Sequence, residues 1–301
     1  MIKSLKITTI ADNLVLQAGL WGQWGLSYLL ELQDERGNTR KILFDTANDK
    51  EPFLYNIEKL ELDLSDLDAI VLSHGHSDHT VATVEALQLS GGCKVYAHPH
   101  CFMPRYYESK DGKRTKGGVP EGEGVKEIEK AGGDLILSEE AVEVVPGLWT
   151  TGQVPRVTDF EKVSPPTDGG KRIIVVDGVE VDDKILCDQS IWMEVEGSGC
   201  WVITGCAHSG PVNTLRRVSS LGGFNEVYAY IGGTHLVGRG DDYILRTADE
   251  LKKYNLQLFS PCHCTGFNAM SLLHREFGNR FAVNYCGRMF KSWEKPSRMV
   301  F

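Results

Sequence analysis

Four side chains that can bind a metal ion fall within six residues, in the segment His74-Gly-His-Ser-Asp-His79. In an extended chain His74 and His76 point to the same side, because successive side chains alternate. Asp78 and His79 can then face the same pocket from the turn that follows. Neutral imidazole and carboxylate groups are the usual ligands of zinc and also suit iron and manganese. The spacing therefore predicts a metal site, and the alternative is a polar loop with chance histidines.

Strands and helices must place this segment at one end of a sheet. An apolar run over 68–72 predicts a buried strand that leads directly into it. Helical periodicity follows over 80–89 and stops at Gly91-Gly92. Further strands are predicted over 4–9, 26–32, 40–44, 94–97, 141–145, 148–151, 173–176, 185–195, 200–204, 227–231, 257–259 and 280–285. Further helices are predicted over 52–60, 212–221 and 243–254, and from residue 268.

Each half of the chain opens with strands and then alternates strands with helices. Two such halves predict two sheets packed face to face with helices outside, and the length allows one large α/β domain or two small ones. Residues 101–133 interrupt the pattern: they are rich in glycine and charge, and 105–116 carries five basic and two acidic side chains. A long loop inside a compact domain is usually functional or disordered. We predict a lid or substrate loop here, with a solvated insertion as the alternative.

Composition narrows the class of protein. The chain has 301 residues, 42% hydrophobic and 24% charged, which is typical of a globular protein and excludes collagen-like, coiled-coil and disordered chains. The formal net charge of −9 argues against nucleic-acid or anionic-membrane partners. It does not exclude an anionic small-molecule substrate, because a metal ion can reverse the local field.

The cysteines and the apolar runs bear on location. Eight cysteines are scattered through a chain too long to be a disulfide-stapled miniprotein, which predicts reduced thiols in the cytoplasm. The chain contains no run of 18 apolar residues, so no transmembrane helix is predicted. Its first residues are predicted to form a strand rather than a signal peptide.

The segment from Asp68 to His79 resembles the signature of the metallo-β-lactamase superfamily. Further matches follow in the expected order: Asp45 in ILFDT, His208 in TGCAHSG and His263 in SPCHCTG. Nearly the full chain is similar to a branch named after an archaeal dihydropterin–ribofuranosylaminobenzene phosphate synthase. The stretches GLSYLLEL, TGQVPRVTDFE, VITGCAHSGPVNTL and YIGGTHL carry this narrower likeness.

This resemblance implies a fold and a set of ligands. The implied fold is a single α/β domain over residues 1–301, an αββα four-layer sandwich of two facing mixed β-sheets with metal at one edge. The implied ligands are His74, His76 and His208 for one ion, and Asp78, His79 and His263 for a second. A divalent ion is expected at one or two per chain, with zinc preferred and manganese or iron as alternatives.

One position departs from the superfamily pattern. A bridging aspartate is expected at the end of the strand after the third histidine motif, but the sequence there is Tyr230-Ile-Gly-Gly-Thr-His235. Gly233 stands near the aspartate position, and His235 either replaces it as a ligand or lines the pocket. Three cysteines flank the metal histidines: Cys206, Cys262 and Cys264. Their thiolates could bind zinc or iron, but the ligand set that the resemblance implies is complete without them, so we expect supporting or packing roles.

Four polar residues are candidates for substrate binding: Arg156, Glu161, Asp188 and Asn213. The first two lie in QVPRVTDFE, a stretch that carries the likeness to the branch. Arg156 can bind a carboxylate or phosphate in a two-pronged way, or it pairs with Asp159 or Glu161. Asn213 falls in the first turn of a predicted helix and alternatively supports the loop of His208.

Together these features predict a metal-dependent hydrolase. Metal-bound hydroxide, oriented by Asp78 in the catalytic role that the resemblance assigns, would attack a small polar, anionic ester, phosphoester or amide. The resemblance also implies an alternative, a transferase that joins a dihydropterin to an aminobenzene ribose phosphate. A non-catalytic ligand sensor on a degenerate site is a third interpretation.

Overall fold

The computed structural model describes residues 1–163, 166 and 169–294. In chain order the strands are β1 (Ser4–Ala11), β2 (Ser27–Gln33), β3 (Thr39–Phe44), β4 (Ala69–Val71), β5 (Lys94–Ala97), β6 (Arg105–Glu108), β7 (Arg114–Lys116), β8 (Asp134–Leu137), β9 (Glu143–Val145), β10 (Leu148–Thr150), β11 (Lys171–Val176), β12 (Val179–Asp182), β13 (Ser190–Val195), β14 (Gly199–Thr204), β15 (Ala229–Gly233), β16 (Leu258–Cys262) and β17 (Met289–Lys291). The α-helices are α1 (Lys50–Lys59), α2 (Thr83–Ser90), α3 (Val125–Lys130), α4 (Pro211–Gly222), α5 (Asp241–Lys252) and α6 (Phe267–Phe277). Short 3-10 helices span Ser77–His79, Pro99–Phe102, His263–Thr265 and Gly278–Arg280.

Two large sheets carry most of the strands. The first has the order β17-β1-β2-β3-β4-β5-β8, antiparallel from β17 to β3 and parallel from β3 to β8. The second has the order β16-β15-β14-β13-β10-β9, parallel from β14 to β16 and antiparallel elsewhere. Both sheets are mixed, as the sequence predicts.

Side-chain alternation along the strands builds the layers. In β3, Ile42 and Phe44 face the core between the sheets, whereas Leu43 faces the opposite side. The core between the sheets joins these residues to Met193 and Ile203 of the second sheet. Apolar residues on each inner face therefore hold the two sheets together.

Helices cover the outer faces of both sheets. Asp49 caps α1 by accepting the N–H of Glu51, which fixes the start of the first helix. Helices α1, α2 and α3 pack on the first sheet and α4, α5 and α6 on the second, through Phe53, Leu87, Ile128, Leu215, Ile244 and Leu273. The predicted αββα four-layer sandwich is confirmed. Within the part of the chain that the structure describes, no helix is long and apolar enough to cross a bilayer.

Residues 101–133 have more regular structure than the predicted loop. Strands β6 and β7 form a hairpin, and β6 also pairs with β11 in a third sheet of order β12-β11-β6-β7. Buried Arg105 donates from Nε to Asp183 (2.7 Å) and from Nη1 to the carbonyl of Cys101 (3.1 Å). A Cβ at Gly75 would collide with that carbonyl, so only glycine allows this approach to the histidine motif. The function of the segment as a lid stays a prediction.

Two predicted strands differ from the structure. Residues 185–189 form a turn before β13, because Ile185 has a φ of 52° and its carbonyl accepts the N–H of Asp188 at 3.3 Å. The predicted strand over 280–285 keeps only a single bridge between Phe281 and Phe259. Strand β17 was not predicted: it pairs with β1 at the edge of the first sheet, and its three residues are too few to show a periodicity.

Candidate metal centre

The candidate ligands meet at one edge of the two-sheet core. On the first sheet, β4 ends at Val71 and the chain runs on into the six-residue motif. On the second sheet, the parallel strands β14, β15 and β16 end side by side. The loops after them carry His208, His235 and His263. Parallel strands bring their carboxyl ends to one edge, so histidines far apart in sequence converge there.

The first group of donors, called here the three-imidazole set, is His74, His76 and His208. His74 Nε2 lies 3.0 Å from His76 Nδ1, and His208 Nε2 lies 3.2 Å from each of these nitrogens. Burial lowers the pKa of His74 and of His208 well below the usual value, and it lowers the pKa of His76 to about 4. The rings are therefore neutral at pH 7, which is the state that binds a metal ion.

The second group, called here the mixed set, is Asp78, His79 and His263. Asp78 Oδ2 lies 3.4 Å from His263 Nε2 and 3.9 Å from His79 Nε2. Burial raises the pKa of Asp78, but the imidazoles of His79 and His263 outweigh it and hold this pKa below its usual range. The mixed set therefore contributes an ionised carboxylate to the centre.

Asp45 anchors the motif from the interior. Its Oδ1 accepts the N–H of Ser73 at 2.7 Å, and its Oδ2 accepts the Ser73 hydroxyl at 2.7 Å and lies 2.6 Å from His79 Nδ1. Ser73 Oγ lies 2.9 Å from His74 Nδ1. Burial lowers the pKa of His79, yet the carboxylates of Asp45 and Asp78 raise it overall to about 9. One buried carboxylate thus orients a ring of each set, directly or through Ser73.

Asn13 anchors His263 from the loop after β1. Its Oδ1 lies 2.9 Å from His263 Nδ1, and its Nδ2 donates to the His263 carbonyl at 3.2 Å. The contact leaves Nε2 of His263 facing the centre. Sequence reasoning missed Asn13, because 250 residues separate the pair and no local motif surrounds it.

Four non-glycine residues around the centre have left-handed backbone. Asp45, Ala207, His235 and His263 have φ between 48° and 60°. Such conformations cost non-glycine residues about 1–3 kcal/mol each and persist where the surrounding structure requires them. The anchor residue and the loops that carry ligands are therefore among the strained positions of the chain.

The donors fit a metal ion. Nδ1 of His235 and Nε2 of His263 are buried and have no hydrogen-bond partner, a costly state that a bound ion would relieve. Among the described residues, four groups have ligand atoms that all lie within 4.8 Å of one another: His74–His76–Asp78, His74–Cys206–His208, His79–Cys206–His263 and Cys206–His235–Cys264. Imidazole, carboxylate and thiol groups together suit zinc or iron.

His235 lies beside the three-imidazole set. The centroid of its ring is 4.1 Å from that of His208. The backbone N–H of His235 donates to Cys264 Sγ at 3.3 Å. A Cβ at Gly233 would collide with the carbonyl of Gly205, so no side chain fits at the end of β15. That His235 acts as a ligand stays a prediction.

Three of the predicted substrate-binding residues make their hydrogen bonds inside the protein. Asp188 accepts the N–H groups of His208 and the next residue at 2.9 and 2.8 Å. Glu161 accepts two N–H groups in the first turn of α4, and Asn213 accepts two from the segment that carries Arg156. This geometry favours holding the His208 loop in place. Contact of Asp188, Glu161 or Asn213 with substrate stays a prediction.

Arg156 lies against the same loop. Its Nη2 donates to the carbonyl of His208 at 3.4 Å, and its Nε is buried with no hydrogen-bond partner. Asp159, the suggested partner of Arg156, instead pairs with Arg246 at 2.7 Å. A guanidinium with an unused donor beside the three-imidazole set suits an anionic group.

A groove of about 920 Å³ opens beside the centre and is lined in part by Asn13 and His263. Its walls include Trp24 and Phe267, which are 53% and 89% exposed, and Val237. Its described lining residues include no lysine or arginine. The volume is typical of a site for a small molecule.

Cys206 lies among the donors, as its place two residues before His208 indicates. Its Sγ is 3.2 Å from His79 Nε2. The expected supporting or packing role of Cys206 stays a prediction. Cys262 packs away from the donors, with its Sγ 3.1 Å from the Tyr28 hydroxyl.

The fold and this centre define a class of protein. A model of the metallo-beta-lactamase superfamily matches residues 25–161. The chain belongs to the metallo-β-lactamase superfamily.

Particular relatives extend over nearly the whole chain. It is 31% identical to the 7,8-dihydropterin-6-methyl-4-(beta-D-ribofuranosyl)-aminobenzene-5'-phosphate synthase of Methanocaldococcus jannaschii, over 96% of this chain and 97% of the relative. An uncharacterized protein of the same organism is 30% identical over 94% of this chain and 98% of that protein. A solved structure of a metal-dependent hydrolase of the β-lactamase superfamily aligns with a TM-score of 0.76 at 24% identity, over 95% of this chain and 98% of that chain. These likenesses confirm the fold.

Proposed function

We propose that this protein is a metal-dependent hydrolase that cleaves an ester, phosphoester or amide bond of a small molecule. The proposal is carried by the convergence of the three-imidazole and mixed sets at one sheet edge, where two buried ring nitrogens make no hydrogen bond. A divalent ion bound there supplies Lewis acidity and lowers the pKa of a water ligand to about 7. We expect zinc, at two ions per chain.

The residues of the centre have different roles. The three-imidazole set holds one ion and the mixed set the other, while Asp45 and Asn13 fix the ring orientations. Asp78 has the catalytic role, because an ionised carboxylate can orient the attacking water by accepting its hydrogen bond. Arg156 is positioned to bind an anionic group of the substrate next to His208.

The groove supports a substrate with two unlike parts. Trp24, Val237 and Phe267 suit an uncharged, largely apolar portion, since apolar surface gains free energy when it leaves water. An anionic portion would lie toward Arg156 instead. We also propose a cytoplasmic location, because the eight cysteines are unpaired thiols that a reducing compartment preserves.

The test combines metal analysis with activity. We would measure metal per chain and the hydrolysis of a panel of nitrophenyl esters and phosphoesters, before and after chelation. Activity should fall at least about 100-fold on chelation and return with zinc. His74→Ala should lose activity, whereas His100→Ala, a histidine outside the donor groups, should keep it. Full activity after verified removal of metal would contradict the proposal.

A second candidate is group transfer. The 31% identity to the archaeal synthase extends over 96% of the chain and favours a transferase that joins a dihydropterin to an aminobenzene ribose phosphate. Incubation of the metal-loaded protein with both compounds and mass spectrometry of the products would decide. A condensation product favours the transferase, and hydrolysis of the panel without such a product favours the hydrolase.

A further inference from the structure

Cys206 lies between the two donor sets. Its Sγ falls within 4.8 Å of the ligand atoms of His74 and His208, and equally of those of His79 and His263. Among the described residues, it is the one side chain grouped with both the His74–His208 pair and the His79–His263 pair. A donor so placed can contact an ion in each set at the same time.

The chain makes room for Cys206 at this point. It follows Gly205, where a Cβ would collide with Ser73 Oγ and lie 2.8 Å from Asp45 Oδ2. Glycine therefore lets the end of β14 approach the histidine motif closely. Ala207 then turns the chain with a φ of 51°, so that Cys206 and His208 both belong to the donor cluster.

The neighbouring strand end cannot supply a bridging group. A Cβ at Gly233 would meet the carbonyl of Gly205 and would lie 2.7 Å from Cys264 Sγ and 3.0 Å from Cys206 Cα. The space that a side chain of Gly233 would need is thus filled by the Gly205 carbonyl, the Cys264 sulfur and the backbone of Cys206. The centre has one partly buried carboxylate in its two donor sets, Asp78. This carboxylate is grouped with His74 and His76 and also lies near His79 and His263.

We propose that the thiolate of Cys206 is a shared ligand between the two metal sites. The proposal rests on the proposed function, since it concerns the same centre. On metal binding the S–H bond breaks, a sulfur–metal bond forms at each ion, and the proton is released to solvent. Sulfur is not oxidised. Thiolate favours zinc or iron over manganese, magnesium and calcium, so the centre selects a thiophilic divalent ion.

The decisive measurement is X-ray absorption of the wild-type protein loaded with zinc. We expect sulfur scattering at about 2.3 Å in addition to nitrogen and oxygen at about 2.0–2.1 Å. Cobalt-loaded protein should show a thiolate-to-cobalt charge-transfer band. A zinc-loaded protein with nitrogen and oxygen ligands alone would overturn the proposal. Both readouts use wild-type protein, so they hold even where a variant fails to fold.

Variants then assign the sulfur. Cys206→Ser should lose the charge-transfer band and fall from two metal ions per chain to one, with Cys93→Ser as a control at a site outside the donor groups. Cys264→Ser should keep the band. Retention of the band in Cys206→Ser and its loss in Cys264→Ser would overturn the assignment. If the protein binds two metal ions, shows no sulfur ligand and hydrolyses its substrate fully, only the shared-ligand proposal is rejected. If the protein binds no metal, the proposed function is rejected as well.

Discussion

The two halves of the metal centre are built in different ways. The N-terminal half supplies His74, His76, Asp78 and His79 from one short segment, and the buried charge of Asp45 holds it. The C-terminal half collects its donors from the loops after three parallel strands, and the neutral amide of Asn13 holds the ring of His263. The first half is specified locally, and the second depends on the packing of the whole second sheet.

The largest expected effect comes from removing the charge that anchors the N-terminal half. Asp45→Asn should lower the free energy of unfolding by about 3–5 kcal/mol, because it breaks a buried ion pair with His79. Urea unfolding of metal-free protein measures this. Asp63→Asn, at an exposed ion pair with Lys41, should be indistinguishable from wild type. Equal effects of both substitutions would show that the buried charge of Asp45 does not hold the N-terminal half.

The next largest effect is expected on the stability of metal-free protein when the pH is lowered. The usual pKa of 6.5 applies to His76 in the unfolded chain, and the folded value is about 4. Between these values the unfolded state binds more protons, so metal-free protein should lose stability as pH falls from 6.5 to 4, by about 3 kcal/mol for this residue. Urea unfolding across this range, compared with His76→Asn, isolates the contribution. Parallel pH profiles of the two proteins would contradict it.

The smallest effect is expected from the neutral anchor of the C-terminal half. Asn13→Ala should weaken metal binding by about 10–100-fold, the usual result of losing a residue that orients a ligand. The loss should fall on the mixed set alone, because Asn13 contacts His263 and no member of the three-imidazole set. Competition with a chelator, followed for each ion, measures it. Equal weakening of both ions would show that the halves are coupled.

The same division explains what could be predicted from the sequence. The alternation of strands with helices in each half of the chain predicts the layers, and the motif from His74 to His79 is compact enough to predict its chemistry directly. His208 and His263 could be found only through resemblance, because their partners lie in other parts of the chain. Asn13 and the position of Cys206 depend on tertiary packing and leave no periodic signal.

Two segments show the limit for secondary structure. The apolar pattern of 185–195 continues through a turn that a left-handed Ile185 creates, and a periodicity cannot report a single dihedral angle. The hairpin of β6 and β7 needs β11, more than fifty residues further along, to complete its sheet. The composition of the β6–β7 segment is typical of a loop. The segment forms strands only because it pairs with β11.

The contact between the ends of β14 and β15 restricts how this centre can change by mutation. Backbone atoms of Gly205 and the sulfur of Cys264 occupy the volume that any side chain at Gly233 would enter. An ancestor or descendant with an aspartate at that position is therefore not one substitution away from this chain. The neighbouring strand end and Cys264 would have to change first, so the two kinds of centre are separated by intermediates that pack poorly.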